Sequence, residues 1–455
     1  MRRISGFLVA AAAILAACSP AGDRSPAEPP ATTHPRPAAP PTPLSATDWP
    51  TYHRDNARSG VAVVPPPGQL SQAWSARLDG AVYGQPLVIG DRVIAATEND
   101  TVYALSAGDG RVLWSRRLGT PQSRSGLPCG NIDPLGITGT PAYDPATGLV
   151  FVLAELDGGA HLLAGIDLAT GDVALSRPLE PPRGEEIAHQ QRAALTVFDG
   201  WVYVAYGGLF GDCGNYLGSV VAAPTTGLGD LRSFVVPTTR EAGIWAPGGA
   251  AVADGKLFYA VGNGESTSDY DYSDSVLALT PELTLADSFS PDVWQDDNAN
   301  DRDLGSMGPA VAGGHVLADG KRGVGYVLDI GRLGGIGGQL GQQNVCPAYG
   351  GSSVSGLTVY LPCRDGTRAV DVEPSGQLTV RWQAPVRTDG SPVVGGGAVW
   401  AVDVAGGVLY ALDQNTGTVL AQLPVGPLPH FASPTLAGEQ AYLGTTSGVV
   451  AIRGI

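Results

Sequence analysis

Four carboxylates lie close together in one short stretch of the chain. Asp296 and Asp297 are followed by Asp301 and Asp303, with Arg302 between the last two. Carboxylate oxygens suit a hard cation such as Ca²⁺, and a carboxylate held near a hydroxyl can act as a general base. A solvated acidic loop is the alternative interpretation. The stretch is therefore a candidate for a metal site or a catalytic base.

Lysine is rare in this chain, since Lys256 and Lys321 are its only two lysines. Lys321 begins the sequence Lys-Arg-Gly-Val-Gly-Tyr, which reads as the entry to a strand. A cation that enters a strand toward an acidic channel is expected to be paired. Lys321 is therefore a candidate partner for a carboxylate or a ligand.

Other polar groups are candidates for ligand contacts. Residues 189–192 (His-Gln-Gln-Arg) enter a predicted strand, and with Arg124 and residues 98–100 (Glu-Asn-Asp) they could line a polar funnel for a small ligand. The acidic, aromatic loop 269–274 could bind a cation or a sugar-like ligand. An exposed polar loop is the alternative in each case.

All these residues interrupt a repeat that runs from Trp49 to Ile455. Each unit reads small residue, Pro, apolar strand, Gly turn, apolar strand, Tyr-Ala-Leu strand, acidic-Gly turn and exit strand, most clearly at 84–118 and 390–425. A repeat of roughly fifty residues made only of strands indicates a β-propeller. Counting the units predicts an all-β protein, an eight-bladed propeller of four-stranded antiparallel blades.

The last unit, Phe431 to Ile455, has room for three strands only. Residues 70–78 (LSQAWSARL) read as a lone outer strand with no unit of their own. We expect this N-terminal strand to complete the last blade and close the ring, because closure removes exposed sheet edges. Residues 49–60 are then expected to pack across the ring, and we call them the lead-in segment.

The N-terminal part of the chain is predicted to be a signal and a tether. Arg2 and Arg3 precede a short apolar run that ends in Leu-Ala-Ala-Cys at Cys18, which looks like a lipobox. Cleavage of the A-x-A type beside an incidental Cys is the alternative. Residues 19–47 are rich in Pro and Ala and should be disordered. The predicted domains are thus 1–18, signal peptide; 19–47, tether; and 48–455, propeller, lipid-anchored to the cell membrane outside the cytoplasm.

Charge and cysteine content narrow the class further. The net charge of −16 argues against nucleic-acid binding. Apart from Cys18, four cysteines remain, an even number that suggests two disulfides outside the cytoplasm. Cys346 and Cys363 are predicted on neighbouring strands of one blade and therefore pair, which leaves Cys129 with Cys213, in loops of consecutive blades.

One turn of the repeat carries a family resemblance. Residues 104–114, Ala-Leu-Ser-Ala-Gly-Asp-Gly-Arg-Val-Leu-Trp, resemble the Ala-x-Asp-x-x-Thr-Gly-x-x-x-Trp docking motif of pyrroloquinoline-quinone-type propellers, the quinoprotein alcohol dehydrogenase-like superfamily. Degenerate copies occur at 164–175, 369–382 and 411–421. The resemblance covers the chain after Trp49 and is greatest to secreted bacterial lipoproteins of that superfamily. Because the motif stabilises blades in enzymes and non-enzymes alike, it implies the fold rather than a cofactor.

The resemblance implies a cofactor site in the central channel. Trp245, in Gly-Ile-Trp-Ala-Pro, is similar to the Trp on which the quinone stacks, and Asn263 resembles a Ca²⁺ ligand. Asp303 is placed where the family has its general base, which would also contact Ca²⁺, and Asp301 competes with it. Lys321 resembles the cation that contacts the quinone oxygens. Alternatively, Trp245 plugs the channel and Asn263 serves a turn.

Two departures from the family pattern favour a different function. The chain has no adjacent pair of cysteines, and the glutamate ligand of Ca²⁺ falls near Asp212 and Cys213. A Cys129–Cys213 disulfide could instead cover the channel mouth. The sequence therefore favours a membrane-anchored scaffold that binds a protein or a small polar ligand at the channel mouth. The alternative is a dehydrogenase dependent on pyrroloquinoline quinone (PQQ) and calcium that oxidises an alcohol or a sugar.

Overall fold

The computed structural model describes residues 43–455, which form a ring of eight β-sheets. The predicted all-β, eight-bladed propeller is confirmed. The predicted signal peptide, Cys18 and nearly all of the tether lie outside the described residues. Within residues 43–455, no helix is long and apolar enough to cross a membrane.

Each blade is an antiparallel sheet of four strands, and the last blade borrows its fourth strand from the N-terminal part of the propeller. The strands of blades 1 to 4 are Leu87–Ile89, Arg92–Ala96, Thr101–Ser106 and Val112–Arg117; Ala142–Asp144, Leu149–Leu156, Ala160–Asp167 and Val173–Pro178; Thr196–Phe198, Trp201–Gly208, Ser219–Pro224 and Arg232–Val235; and Ala251–Ala253, Lys256–Val261, Ser275–Leu279 and Leu285–Ser290. The strands of blades 5 to 8 are Ala310–Ala312, His315–Ala318, Val324–Asp329 and Gly341–Asn344; Ser353–Ser355, Thr358–Leu361, Arg368–Val372 and Leu378–Gln383; Val393–Gly395, Ala398–Asp403, Val408–Asp413 and Val419–Pro424; and Thr435–Ala437, Gln440–Thr445, Gly448–Arg453 and Ser71–Arg77.

Three short strands and four helices complete the described part of the chain. Val61–Ala62, His189–Gln190 and Gly335–Ile336 extend blades 7, 3 and 4 respectively. The one α-helix, Trp294–Ala299, follows the outer strand of blade 4. The 3₁₀ helices are Arg124–Gly126, Glu186–Ala188 and Leu304–Ser306.

Two-residue turns join the first two strands of every blade except blade 2, in which residues 145–148 make this connection. Asp199 and Gly200 have φ of 50° and 76°, and Asp254 and Gly255 have φ of 48° and 70°. Two successive positive φ values match the type I′ turn, which follows the right-handed twist of paired strands. The turn residues therefore define the repeat as much as the alternation of hydrophobic residues does.

The N-terminal strand closes the ring as predicted. Ser71–Arg77 pairs antiparallel with Gly448–Arg453 in blade 8. The docking turns join blades: a Trp at the outer strand of one blade packs on the Gly turn of the next. Three indoles, those of Trp74, Trp114 and Trp382, donate to backbone carbonyls of those turns at 2.9–3.1 Å.

The lead-in segment crosses the ring and pairs with the innermost strands. Backbone N–H groups in the first strands of five blades donate to its carbonyls; the donors are Val88, Tyr143, Val252, Val354 and Val394. Arg58, only 4% exposed, donates five hydrogen bonds to neutral oxygens of the lead-in segment and of the residues preceding or entering blades 3 and 4. Inner strand edges that would otherwise face the channel are thus satisfied, and this part of the channel is filled.

Both predicted disulfides are present, but their positions differ from the prediction. Cys346 follows the outer strand of blade 5, whereas Cys363 follows the second strand of blade 6, so this bond links two blades. Cys129 lies between blades 1 and 2, and Cys213 lies within blade 3. Cys346 was misplaced because the irregular segment 330–340 separates the third and fourth strands of blade 5, so the outer strand of that blade, Gly341–Asn344, comes just before Cys346.

Candidate functional site

A cavity of about 1070 Å³ lies at the centre of the ring and is lined by loops between and within the blades. Its floor is aromatic: Trp245, between blades 3 and 4, meets Phe431, between blades 7 and 8, with ring centroids 6.1 Å apart. These two residues, which we call the aromatic floor, reach the centre from opposite sides of the ring. A space of about 10 Å³ beneath them is lined by Tyr52 of the lead-in segment. The cavity therefore ends at the floor.

Asp303 and Lys321 form an ion pair in the wall of this cavity. The Lys321 ammonium lies 2.7 Å from Asp303 Oδ2 and 2.5 Å from Asp301 Oδ1. The side chain of Asp303 is 3% exposed and that of Asp301 is 67% exposed. Lys321 also lies 6.0 Å from the centroid of the Trp245 ring. Of the two competing carboxylates, Asp303 is thus the one enclosed beside the floor.

Burial and pairing act in opposite directions on these two groups. Burial raises the pKa of Asp303, and the Lys321 ammonium and the Asn263 N–H only partly oppose this effect. Burial by itself would lower the pKa of Lys321, but the Asp303 and Asp301 carboxylates raise it above its ordinary value. Lys321 consequently keeps its positive charge, and Asp303 is a stronger base than an exposed aspartate.

Hydrogen bonds and ion pairs fix the segment that carries Asp303. Its short helix is tied down by Arg322, which pairs with Asp296 and Asp297. Just after Asp303, the N–H of Leu304 donates to buried Asp274 at 2.9 Å. The carboxylates therefore divide by role, because Asp296 and Asp297 hold the segment while Asp301 and Asp303 face the cavity.

Gly262 brings the predicted residues of blade 4 into contact. The N–H of the next residue, Asn263, donates to Asp303 Oδ1 at 2.6 Å. A Cβ on Gly262 would stand 3.1 Å from Asp303 Oδ1 and 3.2 Å from Trp245 Nε1. The strand end of blade 4 thus sets the distance between the Trp245 indole and the Asp303 carboxylate. Trp245, Asp303 and Lys321 line one cavity, and Asn263 borders it through Asp303.

Phe431, the opposite half of the floor, and two arginines of the cavity wall were not predicted from the sequence. Phe431, Arg364 and Arg387 all line the cavity. Arg387 pairs with Asp389 at 2.6 Å, whereas Arg364 is exposed. Only Phe431 had a local signal, since it opens the incomplete last unit. Arg364 and Arg387 lie in loops, and the sequence pattern does not show which side of a loop faces the channel.

The predicted polar funnel is only partly formed. Gln190 and Arg192 line the cavity, but His189 is buried, and its imidazole contacts the carbonyl of Glu185. Arg124 donates to carbonyls of its own loop, at Leu127 and Gly130. The acidic residues of 98–100 are buried away from solvent. These groups therefore brace the inter-blade loops, and the funnel reduces to Gln190 and Arg192.

The acidic, aromatic loop 269–274 serves the fold. Asp271 accepts hydrogen bonds from Thr238 and Ser273, and buried Asp274 accepts one from Leu304. The tyrosines pack together, with ring centroids 5.0 Å apart. Two of its carboxylates are thus engaged within the fold, and that of Asp274 holds the segment beside Asp303.

The protein groups around Asp303 do not complete a calcium site. Asn263 offers a side-chain amide with no hydrogen-bond partner in the described residues. Both Asp303 oxygens are engaged, by Asn263 and Lys321. At the glutamate position, Asp212 accepts the Tyr216 hydroxyl at 2.5 Å. Within residues 43–455 no group of three or more His, Cys, Asp or Glu is arranged to hold a metal. Ca²⁺ takes six to eight oxygens, so the donor set is too small.

Comparison with known sequences finds two kinds of similar protein. A family model described as outer membrane protein assembly factor BamB matches residues 68–208. The polyvinylalcohol dehydrogenase of Sphingopyxis sp. (strain 113P3) is 26% identical over 332 residues, covering 62% of this chain and 48% of the relative. The chain therefore spans about half the length of that relative.

Solved structures show the same architecture. The quinohemoprotein alcohol dehydrogenase of Comamonas testosteroni matches with a TM-score of 0.71 at 17% identity, over 89% of this chain and 80% of that one. BamB of Moraxella catarrhalis matches with a TM-score of 0.58 at 16% identity, over 85% and 97%. At these identities the likeness shows the fold alone. The resemblance to PQQ-type propellers is confirmed in repeat and fold.

Proposed function

We propose that the protein is a quinone-dependent dehydrogenase that oxidises an alcohol or a sugar in the central cavity. The observation that supports this proposal most strongly is the Asp303–Lys321 pair beside Trp245. Three of the four residues that the family resemblance singles out line the same cavity, although they are separated in sequence by up to 76 positions (321 − 245). This order reverses the preference drawn from sequence, which placed a binding scaffold first.

The cavity suits PQQ, a flat aromatic tricarboxylate, in shape and charge. The aromatic floor offers a surface for stacking. Lys321 stands at one side of it, and Arg192 lies 5.3 Å from the Phe431 ring at the other. When bound, the quinone would supply the two-electron acceptor that side chains lack. The fit thus rests on the floor and its flanking cations, and no step depends on a metal.

Asp303 and Lys321 can divide the work of alcohol oxidation. Asp303 would accept the proton of the substrate hydroxyl at Oδ2 or Oδ1, because burial has raised its basicity. Lys321 holds that carboxylate in place and, with two of its three donors on Asp301 and Asp303, keeps one donor for a ligand. Burial of Asp303 limits water on its side of the pair, which strengthens the attraction between the carboxylate and the ammonium. Asp301, being exposed, would instead neutralise Lys321 from the rim.

A binding scaffold is the second candidate function, and only the architecture supports it.

We also propose that the chain works outside the cytoplasm, anchored by a lipid on Cys18. Two disulfides support that location, since disulfides persist in oxidising compartments. An anchored enzyme and an anchored scaffold share these features, so the cavity chemistry has to distinguish them.

Reconstitution with PQQ tests the function directly. The purified protein is mixed with PQQ, with and without Ca²⁺, and dye reduction is followed with aldoses and primary and secondary alcohols, including polyvinyl alcohol. Replacing the base by Asp303→Asn should lower kcat by about 10²- to 10⁴-fold. The matched change Asp301→Asn should cost less than about tenfold, because a general base must lie within hydrogen-bond reach of the hydroxyl. Absence of any PQQ complex at micromolar cofactor would overturn the proposal.

A further inference from the structure

Arg192 places a guanidinium beside the aromatic floor without a polar partner. Its Cζ lies 5.3 Å from the Phe431 ring centroid and 6.0 Å from that of Tyr83. No hydrogen bond or carboxylate partner for this side chain occurs within residues 43–455. The side chain lines both the large cavity and the small space beneath the floor. It is therefore a partly enclosed charge that points into a ligand-sized space.

Nearby carboxyls do not supply the missing partner. Glu98 and Glu155 are close enough to act electrostatically, yet neither forms an ion pair with Arg192. Glu155 Oε1 accepts the N–H of Gln191 at 2.6 Å, and Glu98 Oε2 accepts the N–H of Gly136 at 2.8 Å. Burial lowers the pKa of Arg192 despite these two acids. The surroundings thus disfavour the charge in the absence of a ligand.

Three other cations in the described part of the chain have hydrogen-bond or carboxylate partners. Buried Arg58 uses five hydrogen bonds to neutral oxygens. In the cavity wall, Arg387 forks onto Asp389 and Lys321 bridges two aspartates. Arg192 has none of these arrangements. A desolvated charge left unpaired destabilises a fold, so a group retained in that state is a candidate for ligand contact.

We infer that Arg192 is the anchor for a carboxylate of an aromatic polycarboxylate lying on the floor, opposite Lys321. The inference rests on the proposed function and deepens it, since it names the part of the ligand that this residue would hold. A guanidinium forks onto a carboxylate through two parallel N–H···O bonds. Lys321 and Arg192 flank the Trp245–Phe431 pair, so a flat anion on the floor meets a cation at each side.

Binding measurements on four proteins test the anchor without using turnover. Quenching of tryptophan fluorescence gives the Kd of PQQ for the wild type, Arg192→Gln, Arg192→Lys and the control Arg332→Gln. The control removes the same charge at an exposed position outside the cavity. We expect Arg192→Gln to raise Kd at least about tenfold, Arg192→Lys to fall between, and the control to change it less than about threefold. PQQ trimethyl ester should bind the wild type and Arg192→Gln alike.

Stability of the ligand-free protein separates contact from support. Arg192→Gln should leave Tm unchanged or raise it, because it removes an unpaired charge. A variant that loses both Tm and binding would show that Arg192 holds the floor in shape, and would overturn the anchor. Equal PQQ affinity in wild type and Arg192→Gln would overturn it as well.

A second ligand separates failure of the anchor from failure of the proposed function. Benzene-1,3,5-tricarboxylate carries the carboxylates but cannot accept electrons from an alcohol. If the wild type binds this probe and not PQQ, the dehydrogenase proposal fails, and the anchor stands or falls on whether Arg192→Gln weakens probe binding. If the wild type binds neither ligand, both proposals are wrong.

Discussion

Glu98→Gln should remove a pH dependence of stability that the fold builds into blade 1. Glu98 is 2% exposed, and its Oε2 accepts the Gly136 N–H and the Thr138 hydroxyl. Burial raises the pKa of Glu98 from 4.5 to about 7 against these bonds. An acid whose pKa is raised by folding keeps its proton longer in the folded state. It contributes stability at low pH, and that contribution is lost as pH rises toward 7.

The magnitude follows from the same shift. Each pKa unit corresponds to about 1.36 kcal/mol, so the free energy of unfolding should fall by about 3 kcal/mol between pH 4 and pH 8 through this group. Glutamine keeps the acceptor and has no proton to lose. Burial is the main cause of the raised pKa of Asp100, and the Glu98 charge adds to it. Removing the Glu98 charge therefore lowers the pKa of Asp100, which further reduces the fall in stability with rising pH.

The assay is guanidinium unfolding of wild type and Glu98→Gln at four pH values from 4 to 8. The difference between the two free energies of unfolding should change by about 3 kcal/mol across this range. Glu439→Gln, which removes the same charge at an exposed turn, serves as the control and should stay parallel to the wild type. Parallel curves for wild type and Glu98→Gln would refute the reasoning, because they would show that Glu98 ionises alike in both states.

Two further substitutions test the support of the site and of the ring. Gly262→Ala should weaken PQQ binding and lower kcat by about tenfold, with a small change in Tm. The added methyl group would stand 3.1 Å from Asp303 Oδ1 and 3.2 Å from Trp245 Nε1. Unchanged kinetics would show that the loop moves to accommodate the methyl group. Arg58→Met should lower the free energy of unfolding by about 3–5 kcal/mol, because it leaves buried oxygens without donors. Arg54→Met, at a part-exposed position, should cost less than about 1 kcal/mol, and equal losses in calorimetry would contradict the special role of Arg58.

The fold was predictable because its information is local and repeated. Turns such as Asp199-Gly200 demand two positive φ values, and the sequence supplies residues that adopt them cheaply. The three-stranded remainder at the C-terminus made ring closure by Ser71–Arg77 a requirement of edge pairing. The placement of Cys346 was wrong because residues 330–340, within blade 5, follow no repeat, so counting strands along the sequence fails there.

The site was predictable only in part, for a geometrical reason. Trp245, Asn263 and Asp303 adjoin strand ends of one blade or the next, so the repeat itself brings them together. Phe431 comes from the opposite side of the ring, and its meeting with Trp245 depends on the closed circle. Arg192 stood in the predicted funnel, but its lack of a partner is a property of three-dimensional surroundings. Sequence patterns report residue types and spacing, whereas an unpaired charge is defined by what is absent around it.

The aromatic floor decides on which side of the ring chemistry takes place. The space between the floor and Tyr52 is about 10 Å³, no more than about one water occupies. A ligand therefore contacts the floor from the large cavity, where Asp303 and Lys321 stand. Beneath it, both ring nitrogens of His53 in the lead-in segment contact protein oxygens, of Ser352 and Ser433. The lead-in segment thus seals one side of the floor by satisfying strand edges, which leaves the charged groups on the other side available for a ligand.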